Sequence, residues 1–152
     1  MVIETNATLN EDFLRAARAF QSALARVQEQ IRQEHFTFKP GDTNAHSLNV
    51  SQLDVLHAIL VSLGKKKQNE VAADIGLNKG AFSRLAEKLS ESGYVTITLD
   101  SNADKQTKFI ELTEKGLEVA RLYKTELDEA LKSLSRSPEA ITLAQIINKV
   151  TP

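Results

Sequence analysis

The sequence predicts a mainly α-helical fold with one small β-hairpin. Apolar residues recur at spacings of three and four along most of the chain, which is typical of amphipathic helices. Only 6 glycines and 3 prolines interrupt the 152 residues, so long regular elements are favoured. Residues 94–99 (YVTITL) instead alternate at period two and are rich in β-branched side chains, which is typical of a strand.

The composition indicates one soluble domain spanning residues 1–152, of which 41% are hydrophobic and 26% charged. The absence of cysteine excludes disulfides, thiolate metal sites and cysteine nucleophiles. No apolar run approaches the roughly 18–20 residues of a membrane helix, and the N-terminus lacks the order of a signal peptide, so we expect a cytoplasmic protein. The net charge of −1 argues mildly against nucleic-acid binding, although the placement of charge matters more than its sum.

Two helices are predicted in the first part of the chain. Residues 10–35 form the first, with Asn10 as its N-cap. Residues 39–42 (KPGD) then give a turn signal. A capping box of Asn49 and Gln52 begins the second helix, and Gly64 is its expected end. The apolar stripes of the two helices are formed by Phe13, Ala17, Phe20, Leu24, Val27 and Ile31, and by Leu53, Leu56, Ile59, Leu60 and Leu63.

A short helix, a turn, a second helix and a hairpin follow in that order. Residues 65–67 (KKK) are a basic connector, and residues 68–75 form the short helix, which Gly76 closes. Asn78 caps the next helix, Lys79–Glu91, which we expect to bury Phe82, Leu85, Ala86 and Leu89. Strands at residues 94–99 and 107–113 flank a polar turn. This succession predicts a winged helix-turn-helix over residues 49–113.

Two helices close the chain. Thr113 is the expected cap of the long helix Glu114–Leu134, whose stripe includes Tyr123 and Leu127. Pro138 stands at the first position of the last helix, where proline is favoured. The residues predicted to face inward on this last helix are Ile141, Ala144, Ile147 and Val150.

The helix Lys79–Glu91 has the features of a recognition helix. Its low-bulk start at Gly80 allows close approach to a groove, and Arg84, one turn later, can bridge guanine O6 and N7. A solvated face with no such role is the alternative. The residues predicted to contact DNA are Lys67, Gln68, Asn78, Lys79, Gly80, Ser83, Arg84, Lys88, Asn102, Lys105, Gln106 and Lys108.

Three stretches resemble the MarR (multiple antibiotic resistance regulator) family. They are residues 48–56 (LNVSQLDVL), 69–95 (NEVAADIGLNKGAFSRLAEKLSESGYV) and 104–116 (DKQTKFIELTEKG). The wing departs from the family pattern, because Lys105-Gln106 follows Asp104 where an arginine is usual. The resemblance implies that Lys105 takes the place of the arginine that reaches the minor groove, but without the guanidinium fork.

The same resemblance implies a homodimer whose interlocking helices are residues 10–36 and 114–150, although these helices alternatively close a monomeric core. Each winged helix would bind one half-site of a pseudo-palindrome on double-stranded DNA. The expected function is a sequence-specific transcriptional regulator, a repressor released by a small-molecule effector. The alternative is a protein-interaction module that does not bind specific DNA.

Effector, metal and catalytic sites have less support in the sequence. Phe36, Phe38 and His57 are candidates for lining an effector pocket, with ordinary packing as the alternative. His35 and His46 flank a loop, but no histidine has a second ligand at helical spacing, so no metal site is predicted. No serine stands in a His/Asp setting, and no phosphate-binding loop is present. We therefore expect no enzymatic activity and no cofactor.

Overall fold

A computed structural model describes residues 2–38, 40–41, 46–62, 65–100 and 107–150. The predicted fold class is confirmed, since helices dominate and a small antiparallel sheet forms the wing. No helix among the described residues is both long and apolar enough to span a membrane. The elements are α1 (Val2–His35), α2 (Val50–Val61), β1 (Lys65–Lys67), α3 (Gln68–Asp74), α4 (Lys79–Glu91), β2 (Val95–Asp100), β3 (Thr107–Leu112), α5 (Glu114–Leu134) and α6 (Pro138–Val150).

The chain divides into two compact units. The first, the terminal unit, consists of Met1–Ile31 with Glu126–Pro152. The second unit consists of Arg32–Thr125. Helices α1 and α5 therefore each contribute to both units. The second unit contains the entire predicted winged helix-turn-helix.

In the terminal unit, the predicted inward face of α6 is wrong for the single chain. Ile141 and Ile147 are 48% and 44% exposed, and Ala144 is also exposed, while Ile146 is buried. Apolar residues lie on more than one face of α6, and the fold buries the face of Ile146 rather than the one chosen by spacing. The side chain of Val150 lies outside the described residues.

Helix α2 forms the centre of the second unit. Asn49 caps it with the predicted capping box: its Oδ1 accepts from the Gln52 amide at 2.8 Å, and its own amide donates to Gln52 Oε1 at 2.9 Å. Apolar residues surround the helix, as expected of an element packed on several sides. Its buried residues are Leu53, Val55, Leu56, Ala58 and Ile59. The predicted end at Gly64, with Leu63, lies outside the described residues.

The wing is a three-stranded antiparallel sheet in the order β1-β3-β2. The hairpin was predicted, with β2 beginning one residue later than expected and Leu99 opposite Lys108. Strand β1 was predicted to be a connector, but Lys67 pairs with Phe109 of β3. Three consecutive lysines have low β-propensity and are too few to show alternation, so the sequence did not indicate a strand there.

The helix-turn-helix is α3, a tight turn and α4. Gly76 has a φ of +72°, a conformation that is costly for residues with a Cβ, and the Leu77 amide behind it donates to the Ala72 carbonyl at 2.9 Å. Asn78 then caps α4 as predicted, its Oδ1 accepting from the Ala81 amide at 2.8 Å. This geometry fixes the start of α4 relative to α3.

Candidate nucleic-acid interface

Helix α4 separates an apolar face from a charged one. Phe82, Ala86 and Leu89 are buried and hold the helix on the domain. Leu85, also predicted to be buried, is only half-buried. On the opposite side, the exposed residues are Lys79, Gly80, Arg84, Glu87, Lys88 and Glu91, with half-buried Ser83 at the margin. The predicted reading residues thus share one accessible surface.

Three cations lie on this surface, and none of them has an ion-pair partner among the described residues. Within the described part of the chain, Lys79, Arg84 and Lys88 form no ion pair, whereas Lys66 is paired with Asp74. An unpaired ammonium or guanidinium group retains all its donors for phosphate or for base edges. The surface can therefore bind a polyanion without first breaking internal contacts.

The N-terminus of α4 strengthens the same surface. No acidic residue occupies its first turn, so the positive end of the helix dipole is not neutralised locally. A Cβ added at Gly80 would meet nothing nearer than Asn78 Oδ1 at 3.6 Å, so the backbone is open to an approaching group. The oxygen of Asn78 is occupied by the cap, which leaves its amide NH₂ as the group that can reach DNA.

At the start of α3, Lys67 is exposed and Gln68 is buried. Lys67 is exposed and N-caps α3 without using its side chain. Gln68 was predicted to contact DNA, but it is only 8% exposed, so this prediction is corrected. Gln68 lies on the same helical face as buried Val71 and Ala72, and that spacing of three and four was the available signal.

In the described part of the wing, Lys108 is an exposed cation. Lys108 is exposed on β3 opposite Leu99, which is 55% exposed. Asn102, Lys105 and Gln106 lie outside the described residues, so their contacts with DNA stay predictions.

Two of the three predicted effector residues, Phe36 and His57, meet on one aromatic ring, and the third, Phe38, does not. Phe36 is fully buried and meets the Tyr123 ring edge-on at 6.2 Å between centroids, and His57 meets the same ring at 6.1 Å. The Tyr123 hydroxyl and Asp54 Oδ1 are 3.2 Å apart. Phe38 is 68% exposed and does not share this cluster. The contacts of Phe36 and His57 favour the packing alternative for these two residues.

A polar contact that the sequence did not indicate lies at the base of the wing. His46 Nδ1 and the Tyr94 hydroxyl are 2.9 Å apart, although 48 residues separate them. The Lys115 ammonium lies 4.3 Å from the centre of the Tyr94 ring and donates to the Ser92 carbonyl at 2.8 Å. Burial raises the pKa of Tyr94. The described residues contain no group of three or more side chains suited to a metal ion.

Comparison with known families agrees with this geometry. Residues 52–131, more than half of the chain, match the family described as the winged helix DNA-binding domain. The chain therefore belongs to the winged helix DNA-binding domain family. The match includes all of α3, α4 and the sheet strands β2 and β3 that form the surface described above. No curated protein matches the chain.

Solved structures share the fold over almost the full length. Wild-type apo MarR from E. coli is 17% identical, with a TM-score of 0.65 over 91% of this chain and 95% of that one. A MarR-family transcriptional regulator from Rhodococcus sp. RHA1 is 22% identical, with a TM-score of 0.62 over 88% and 85%. A mutant E. coli MarR complexed with operator DNA is 15% identical, with a TM-score of 0.61 over 100% and 99%. The fold is thus that of the MarR-family regulators, as the motifs had indicated.

Proposed function

We propose that the chain is a sequence-specific regulator of transcription that binds double-stranded DNA through α4 and the wing. The observation that carries the proposal is the exposed face of α4, on which Arg84 and its neighbouring lysines have no ion-pair partner among the described residues. Arg84 would read guanine in the major groove, and Lys67, Lys79, Lys88 and Lys108 would contact phosphates.

We further propose that two copies act together on a pseudo-palindromic operator. In the terminal unit, Leu14, Ile141 and Ile147 are about half exposed, and burying them against another surface would be favourable. A second copy covering them would be a two-fold dimer, and such a dimer presents two identical reading surfaces. The E. coli MarR structure complexed with operator DNA supports an operator as the target of the fold.

The regulator is proposed to be a cytoplasmic repressor that a small molecule releases. CouR from Rhodococcus jostii RHA1, which shares the fold at 22% identity, was solved bound to p-coumaroyl-CoA. PcaV from Streptomyces coelicolor, at 18% identity, was solved with its natural ligand. These structures support an effector as the class of signal.

A salt titration of the full chain against a random duplex is the first test. A protein that neutralises several phosphates loses affinity steeply as salt rises, because condensed counterions are released on binding. We expect log K to fall linearly with log salt concentration. If the chain shows no binding even at low salt, the proposal fails and the alternative of a protein-interaction module is favoured.

The second test separates base reading from phosphate binding. Binding to duplexes selected from a randomised pool is compared for Arg84→Ala and for the control Arg136→Ala. The control removes an equal charge from an exposed position in the terminal unit. We expect Arg84→Ala to lose roughly 1–3 kcal/mol of preference for the selected sequence, and Arg136→Ala to bind like the wild type. Unchanged preference in Arg84→Ala would show that α4 is not the reading helix.

A further inference from the structure

The acidic residues on α4 are unexpected on a surface proposed to meet DNA. At about 100° per residue, four residues lie within about 60° of the helix circumference, opposite the buried side. They are Gly80, Arg84, Glu87 and Glu91, all exposed. Two of the three side chains at the centre of this face are therefore carboxylates rather than cations.

The position of Glu87 places it beside the predicted base-reading residue. Glu87 follows Arg84 by three residues, a spacing at which side chains are neighbours on a helix surface. The two line one shallow depression of about 410 Å³, whose other lining residues are Ala81, Leu85, Lys88 and Glu91. A group that enters this depression meets the guanidinium and the carboxylate together.

The fold does not require a carboxylate at this position. Glu87 is exposed and forms no ion pair or hydrogen bond among the described residues. Glu87 lies four residues before Glu91, a like-charge spacing that slightly destabilises a helix, and three residues after Arg84, an opposite-charge spacing that stabilises it by a similar amount. A carboxylate is also repelled by DNA phosphates, so Glu87 weakens nonspecific binding. In a complex with DNA, Glu87 is therefore favourable only where it meets a hydrogen-bond donor.

We propose that Glu87 is a specificity-determining residue that accepts a hydrogen bond from the exocyclic amino group of a base in the major groove. This inference rests on the proposed DNA-binding function. Cytosine N4 and adenine N6 are the amino donors that the major groove presents, and cytosine N4 is the usual partner of a carboxylate. Thymine and guanine present the acceptors O4 and O6 there, which repel a carboxylate. Arg84 would thus select a base that presents acceptors, and Glu87 would select a neighbouring base that presents an amino donor.

The test compares binding-site selection by the wild type with that by Glu87→Ala, Glu87→Gln and the control Glu91→Ala, each as the full chain. In the wild type, one position of the binding site should prefer a base that bears an amino group. Where that base is cytosine, replacing it with thymine should weaken binding roughly 5- to 150-fold. Glu87→Ala should bind random duplex more tightly and lose this preference. Glu87→Gln should shift the preference towards adenine, which glutamine contacts through N6 and N7.

Each result assigns the cause. Glu91→Ala should bind random duplex more tightly yet keep the wild-type base preference, because it removes an equal charge one turn further along α4. Retained preference in Glu87→Ala, or a loss confined to the guanine read by Arg84, would overturn the role of Glu87 while leaving the proposed function intact. Absence of any duplex binding by the wild type would instead overturn the proposed function.

Discussion

A Cβ atom on Gly116 would lie 1.9 Å from the backbone carbonyl oxygen of Tyr94. That oxygen accepts a hydrogen bond from the Thr113 amide at 3.1 Å, and the Thr113 hydroxyl accepts from the Gly116 amide at 3.1 Å. The same hydroxyl donates to the Gly93 carbonyl at 2.6 Å. The first turn of α5 is therefore packed directly on the backbone that enters β2, and only glycine fits at the point of contact.

Replacing Gly116 with alanine should destabilise the fold. The clashing atoms belong to the backbone, which cannot move aside as a flexible side chain does, so we expect a loss of about 1–3 kcal/mol or more in the free energy of unfolding. Urea denaturation of Gly116→Ala against the wild type measures it. A variant with wild-type stability would show that α5 does not pack on Tyr94 as described.

Gly80→Ala serves as the matched substitution, because a Cβ there meets nothing closer than 3.6 Å. Alanine favours a helix interior by about 1 kcal/mol over glycine, so stability should rise by up to that amount. Duplex affinity should fall, since the methyl group stands on the face proposed to approach the groove. Higher stability with unchanged affinity would mean that the start of α4 stays away from DNA.

Tyr94→Phe removes the hydroxyl that contacts His46 but keeps the ring beneath Lys115. The lost hydrogen bond should cost about 1 kcal/mol of stability at neutral pH. Because the folded state raises the pKa of Tyr94, this group's stabilising contribution is complete below about pH 10 and is lost as the pH rises through the folded-state value. Denaturant unfolding from about pH 9 to about pH 11 should show a steeper decline for the wild type. A parallel decline in the stability of the two proteins would show that the fold does not raise the pKa of Tyr94.

Lys66 and Lys67 are adjacent lysines, but of the two only Lys66 forms an ion pair among the described residues. Lys67→Ala should weaken binding to all duplexes and lower the slope of log K against log salt by about 1. Lys66→Ala should leave the slope unchanged, because its ammonium is already paired with Asp74, and should cost about 0–1 kcal/mol of stability. Equal effects of the two substitutions on the slope would show that the ion pair opens on binding.

Ile141→Glu tests the proposed dimer. A charge on this half-exposed apolar residue should convert the protein from dimer to monomer in sedimentation velocity, because burying it unpaired is costly. Thr142→Glu adds the same charge at an exposed polar position of α6, rotated by about 100° from Ile141, and is the control. A dimer that survives Ile141→Glu would place the contact between copies elsewhere.

Local signals predicted most of the fold. Asn49, Asn78 and Thr113 are side-chain caps whose partners lie three residues away, so the starts of α2, α4 and α5 are encoded within a few positions. The exposed face of α4, which is proposed to read DNA, followed from the apolar face opposite it. Strand β1 could not be predicted in this way, because it exists only through pairing with β3.

The same limit applies to the candidate site. The contact of His46 with Tyr94 depends on chain segments that only the tertiary fold brings together, and neither residue carries a local signal for it. Gln68 shows the opposite case, in which a polar residue in a basic segment was read as a surface contact. Its burial was implied by its spacing from Val71 and Ala72.

Lys67 pairs with Phe109 in the sheet and is also the N-cap of α3, so no loop residue separates the wing from the helix-turn-helix. Neither role uses its side chain, and many other residue types are compatible with both. A change in the length of the chain at this point is not compatible with both roles. One inserted residue would rotate α3 by about 100° relative to the sheet, or slip β1 and reverse the faces of its side chains. This junction therefore tolerates changes of composition but not insertions or deletions.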